Sequence, residues 1–202
     1  MLRIGVIGGA FDPIHNGHLK IAEVSKQKFD LSKVIFVPAY CPPHKSRPIL
    51  APFEHRLAML TRAIEDIAFF EVSEIERKEC CPSYAGNTVK ELKEIYGEQC
   101  DYYFITGLDA LLTLTSWDKA RTYPGLCYFI ATTRPGFNRS AVEKEIPEDF
   151  RPYIMINKMP ALSISSTDIR NRVRTNQSID GMVPEGVKDY IYKFKIYTHC
   201  FT

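Results

Sequence analysis

Apolar positions in this chain fall into short unbroken runs separated by stripes of helical spacing. The runs at 4–7, 34–37, 102–105, 126–131 and 153–156 are apolar almost throughout, as expected of parallel strands buried on both faces. Phe70, Val72 and Ile75 mark a further strand. Between the runs, Leu19, Ile21, Ala22 and Val24 form a stripe over 18–29, and Phe53, Leu57, Leu60 and Ile64 form one beginning at Pro52. Val89, Leu92 and Ile95 give a third, which Gly97 closes as a C′ residue. Two more helices are predicted from about Ser166 and over 184–194. Strand and helix alternate from end to end, which predicts an α/β fold: a doubly wound, mostly parallel sheet covered on both faces. No linker, repeat or composition break divides the chain, so one domain over residues 1–202 is expected.

Composition narrows the class without naming a chemistry. Of 202 residues, 45% are hydrophobic and 25% charged, ordinary values for a globular protein. No apolar run approaches the length that spans a membrane, and the N-terminus leads into a strand without a signal-peptide pattern, so a cytoplasmic protein with no membrane partner is expected. The six cysteines (Cys41, Cys80, Cys81, Cys100, Cys127, Cys200) show no CxxC spacing, and reduced thiols are the expectation. A net charge of +2, with no basic run interleaved with aromatics, argues against nucleic-acid binding. Homo-oligomerisation is left open.

The candidate chemistry begins in IGVIGGAFDPIHNGHL, residues 4–19. A strand runs into Gly8 and Gly9, which allow a sharp turn and close approach of a ligand to backbone N–H groups. A loop then delivers His15 and His18 to a helix start, where orphan N–H groups and the helix dipole favour an anion. The pattern is neither GxGxxG nor a Walker A loop. A zinc pair and two ordinary surface histidines are the competing readings of HNGH; no third ligand at a recognisable spacing accompanies the pair, so no metal site is assigned. A polyphosphate is the expected guest.

Later loops add candidates. PAYCPPHKSRP holds His44 and Lys45 on a stiff segment beyond a strand end. Arg56 is placed on the polar flank of its helix. Gly107 permits close approach at the end of the 102–105 strand, and Asp109 reads equally as a helix cap or a ligand contact. Trp117, the only tryptophan, is either core or a stacking surface. Ser165 with Asp168 resembles a capping box. Arg170 is placed in the first turn of that helix, where a cation opposes the dipole unless an anion lies between.

GGAFDPIHNGHL resembles the signature of the HxGH nucleotidyltransferase superfamily, and its GGxFDPxHxGH form is similar to the bacterial nicotinate-nucleotide adenylyltransferases. PPHK at 42–45 and ISSTDIR at 164–170 agree with that family in the same order. The resemblance implies adenylyl transfer from ATP, with Mg²⁺, to nicotinate mononucleotide, giving deamido-NAD and pyrophosphate in NAD biosynthesis. It implies ATP contacts from Gly8, Gly9, Ala10, Phe11, His15, His18, Gly107, Asp109, Arg134, Ser165, Ser166, Thr167 and Arg170. Mononucleotide contacts are implied for His44, Lys45, Ser83, Tyr84, Ala85, Thr88 and Trp117, with the segment around Tyr84 and Ala85 lying against the pyridine ring. A phosphate nucleophile is already anionic and needs no general base, so alignment and charge neutralisation carry the catalysis. His18, His15, Lys45 and Arg170 are the residues expected to supply it, with N–H groups at both helix starts holding phosphates. The chain departs from the family at Ala10, where threonine is usual, and at Ala85 and Asn87, where threonine and an acidic residue are usual. Pantetheine-phosphate adenylyltransferases and cytidylyltransferases share HxGH, but PPHK and Trp117 favour a pyridine nucleotide. A class I aminoacyl-tRNA synthetase fragment would need a KMSKS-like loop, which is absent. A non-catalytic nucleotide-binding regulator is the alternative of a different class.

Overall fold

The computed structural model describes residues 1–41, 51–77, 85–112, 125–133, 146–158 and 164–198. Each predicted apolar run is a strand: β1 (Arg3–Gly9), β2 (Lys33–Pro38), β3 (Phe70–Val72), β4 (Asp101–Gly107), β5 (Tyr128–Thr133) and β6 (Ile154–Lys158). The helices are α1 (Asn16–Phe29), α2 (Phe53–Ile64), α3 (Ala85–Tyr96), α4 (Leu108–Leu112), α5 (Ser166–Arg174) and α6 (Glu185–Lys193). α1 begins two residues before the predicted His18, because His15 takes the extended backbone of an N-cap. α3 begins at Ala85, so the predicted strand-to-helix bend ends earlier than Thr88.

Among the described residues all strands are parallel, in the order β3-β2-β1-β4-β5-β6. Alternate residues of one strand feed opposite faces: Val34 and Phe36 enter one core cluster, Ile35 and Val37 the other. β4 repeats the pattern, with Tyr103 and Ile105 on the first face and Tyr102 and Phe104 on the second. The first face packs Ala22 of α1, Met59 and Leu60 of α2, Ile169 and Val173 of α5, and Val187 and Ile191 of α6. Val89 and Leu92 of α3, with Leu108 and Leu111 of α4, cover the second. Burial on both sides is why these strands read as continuous apolar runs rather than alternating ones.

Strand order reverses between β1 and β4, since β2 and β3 lie on one side of β1 while β4, β5 and β6 lie on the other. Loops leaving neighbouring strands there diverge to opposite faces and open a crevice at the carboxyl edge, where doubly wound folds bind ligands. The register Ile7 to Ile105 puts Gly8 and Gly9 beside Thr106 and Gly107 at that edge.

Candidate active site

Gly107 has open space where a Cβ would stand, and Gly8 is exposed at the end of β1. Both leave backbone accessible at the switch point. Asp109 is exposed in the first turn of α4 rather than at its cap, which removes the capping reading and leaves its carboxylate facing solvent near the crevice.

The loop from Ala10 to His15 is buried, and its order comes from polar contacts. Phe11 adopts a left-handed φ of 47°, and the Asp12–Pro13 peptide is cis. The Phe11 ring is sunk in the core and meets His18 edge-on, with centroids 5.2 Å apart. Its side chain therefore backs His18. The His15 and His18 rings stack at 3.7 Å, and His18 Nδ1 accepts the His15 backbone N–H at 3.3 Å. That bond ties the His18 ring to the N-cap of α1.

His15 is only 7% exposed. Burial pushes its pKa down from 6.5 to about 4, against a smaller upward pull from its backbone hydrogen bond. Its Nδ1 has no hydrogen-bond partner among the described residues. A buried imidazole lacking a partner is costly unless a ligand supplies one. Gly17 makes room for it, because a Cβ there would stand 2.9 Å from His15 Nδ1. This gives the glycine of HNGH a steric reason.

At the second helix start, Ser165 caps α5 by accepting Asp168 N–H at 3.1 Å. The Asp168 carboxylate takes Arg172 Nε at 3.1 Å. Ser166 Oγ donates to the Pro13 carbonyl at 2.9 Å, and Thr167 Oγ1 accepts from Arg170 Nη2 at 3.2 Å. Ser166 gives its proton to Pro13, whereas Ser165 and Thr167 accept in these bonds; α5 also offers phosphate its N-terminal backbone and dipole. At α1 the Asn16 N–H is taken by the Met182 carbonyl at 2.9 Å, which removes one donor assigned to phosphate.

Arg170 also differs from expectation. It is the fifth residue of α5, one position past the first turn, and its side chain is 16% exposed. Nη1 donates to the Asp12 carbonyl at 2.6 Å and lies 3.8 Å from the Asp12 carboxylate. The cation is thus already compensated by protein. Thr88 likewise donates its hydroxyl to Glu76 and is buried, which ties the first turn of α3 to the segment after β3. Ala85, at the first position of α3, presents backbone at a helix start. Ala10 is buried and its carbonyl is occupied. His44, Lys45, Ser83, Tyr84, Trp117 and Arg134 lie outside the described residues.

The largest correction is Arg56. It is 2% exposed rather than solvated on a helix flank. Nη1 donates to the carbonyls of Ala10 at 2.7 Å and Ala39 at 2.9 Å, and Nε to that of Ala51 at 3.1 Å. One guanidinium thereby ties the segments following β1 and β2 to the start of α2. Asp12, only 3% exposed, was also unforeseen: its Oδ1 accepts from Ala51 N–H at 3.2 Å and Tyr197 Oη at 2.7 Å. Neither role has a local signal, since each depends on residues distant in sequence.

A family model described as cytidylyltransferase-like matches residues 6–172. The relatives include a probable nicotinate-nucleotide adenylyltransferase of Thermoanaerobacter sp. (strain X514), 44% identical over 199 residues, covering 97% of this chain and 94% of its own. Another, from Moorella thermoacetica, is 43% identical over 198 residues and covers 96% of this chain and 91% of its own. The nicotinic acid mononucleotide adenylyltransferase of Plasmodium falciparum, solved in complex with NaAD, shares the fold with a TM-score of 0.79 over 98% of each chain at 23% identity. Fold and site together define a nucleotidyltransferase of the cytidylyltransferase-like class. Within that class, the chain belongs to the nicotinate-nucleotide adenylyltransferase family.

Proposed function

We propose that the protein transfers the adenylyl group of ATP to nicotinate mononucleotide, releasing pyrophosphate and forming deamido-NAD. The mononucleotide phosphate oxygen attacks the α-phosphorus, and the bond to the bridging oxygen of the departing pyrophosphate breaks. Catalysis then rests on alignment and on stabilising charge over the transferring group. The observation that carries this reading is the stacked His15–His18 pair at 3.7 Å, with one buried ring nitrogen awaiting a partner, at the start of α1. His15, neutral near pH 7, serves as an oriented hydrogen-bonding group rather than a cation. His18, Lys45 and Arg170 act on the phosphates, with ATP also contacting Gly8, Gly9, Gly107 and Asp109.

Transferases of this class work with a divalent cation accompanying the nucleotide. The described donors do not fit a resident magnesium site. Imidazoles are poor partners for so hard a cation, and Asp12 is engaged by Ala51, Tyr197 and Arg170. Magnesium is therefore assigned to the substrate, as MgATP. Backbone donors at the start of α3, near Ala85, suit the nicotinate carboxylate and are indifferent to loss of the usual threonine side chain. The pathway, and a cytoplasmic location for it, follow from the same reading.

Pyrophosphate release from ATP is expected with nicotinate mononucleotide and not with phosphopantetheine. ATP binding without release on any acceptor would replace this reading with a nucleotide-binding regulator.

A further inference from the structure

We propose that Tyr197 is a positioning residue for nucleotidyl transfer, acting through Asp12 on Arg170 and on the loop that carries His15. The proposal rests on the ATP-binding role given to Arg170 above. Tyr197 lies beyond α6 and beyond the segment matched by the family model. The chain after α6 turns back through left-handed residues at Lys195, φ 52°, and Tyr197, φ 69°. Such a backbone is unfavourable for an aromatic residue and persists only where surrounding contacts enforce it. Here the turn is fastened by Ile196 N–H on the Ile191 carbonyl at 3.0 Å, and it sinks Ile196 and Tyr197 into the core that holds Phe11 and Ile14.

The Tyr197 ring fills that core as a phenylalanine would; the hydroxyl does something further. It donates to Asp12 Oδ1 at 2.7 Å. Burial and the adjoining carboxylate push the phenol pKa well up, so the group remains a donor. With Oδ1 held by Tyr197 and Ala51, the second oxygen, Oδ2, stands 3.8 Å from Arg170 Nη1, and that same Nη1 is bonded to the Asp12 carbonyl at 2.6 Å. Two side chains from distant parts of the chain, Tyr197 and Asp12, thus set the Arg170 guanidinium against the loop leading to His15. Ser166 reinforces the join through the Pro13 carbonyl. Loss of the hydroxyl frees the carboxylate to turn and lets Arg170 follow it.

The test is a double-mutant cycle between Tyr197→Phe and Arg170→Ala, read as kcat and KM for each substrate and as Kd for a non-hydrolysable ATP analogue. Tyr197→Phe is expected to lower kcat/KM for ATP about tenfold while changing KM for the mononucleotide less than about twofold. In the Arg170→Ala background the same change is expected to cost less than about twofold. A full penalty in that background, or a loss of kcat with both KM values unchanged and a lower melting temperature, would overturn the proposal in favour of plain structural support. An ATP KM unaltered by Arg170→Ala alone would instead overturn the role given to Arg170. Asp12→Asn reaches the same contact from its other side: a selective loss on ATP supports the proposal, and equal losses on both substrates contradict it.

Discussion

Burial strips His15 of hydration and brings its pKa down to about 4, with a consequence for stability as well as chemistry. Between that value and 6.5 the unfolded chain holds a proton on this ring that the native protein does not. The associated stability is complete above about pH 6.5 and is lost as pH falls toward 4. Denaturant titrations at pH 7 and pH 5 are expected to differ by about 2 kcal/mol from this group, and His15→Gln should remove that difference. His18→Ala is expected to lower kcat by roughly two to three orders of magnitude with a modest change in melting temperature; near-normal turnover would remove His18 from the mechanism. Gly17→Ala separates site geometry from fold. Alanine favours a helix by up to about 1 kcal/mol, yet its Cβ would stand 2.9 Å from His15 Nδ1. A loss of at least about tenfold in kcat/KM without a matching loss of stability is expected. HNGH was legible because its parts are adjacent. Arg56 was not: a guanidinium bonded to Ala10, Ala39 and Ala51 looks in sequence like any arginine on a helix.

At the scale of elements, strand runs and helix stripes were legible because two-sided burial writes itself into consecutive residues. The ends were less so. His15 is the extended N-cap of α1, with His18 Nδ1 taking its N–H where a Glu or Gln would be familiar, and α5 places Arg170 just beyond its first turn. The contacts of Arg170 with Asp12 reverse a stability expectation. A cation opposing the helix dipole would be relieved by removal, worth roughly 0.3 to 1 kcal/mol. Bonded to the Asp12 carbonyl and near its carboxylate, Arg170 instead braces α5 against the loop after β1. Arg170→Ala is therefore expected to destabilise the protein by about 1 to 3 kcal/mol in thermal or denaturant unfolding, and to weaken ATP binding.

Across the whole molecule, the site is a product of topology. Parallel pairing carries the loops to one edge, and the reversal between β1 and β4 opens that edge at Gly8 and Gly107. Alternation of strands and helices announced this arrangement, while the strand order and the joining of residues 158 positions apart, Asp12 and Arg170, are settled only by packing. The same architecture would serve many nucleotides, so on the proposed reading acceptor choice falls to donors near Ala85 and to Lys45 and Trp117. A carboxylate takes charge-assisted bonds from backbone N–H groups, whereas an amide turns its own NH₂ against one of them. The most direct measurement is kcat/KM on the unmodified protein, with saturating MgATP, for nicotinate mononucleotide and for its nicotinamide counterpart. A preference for the acid of at least about tenfold, some 1.4 kcal/mol, is expected; equal values, or turnover of neither, would contradict the assignment.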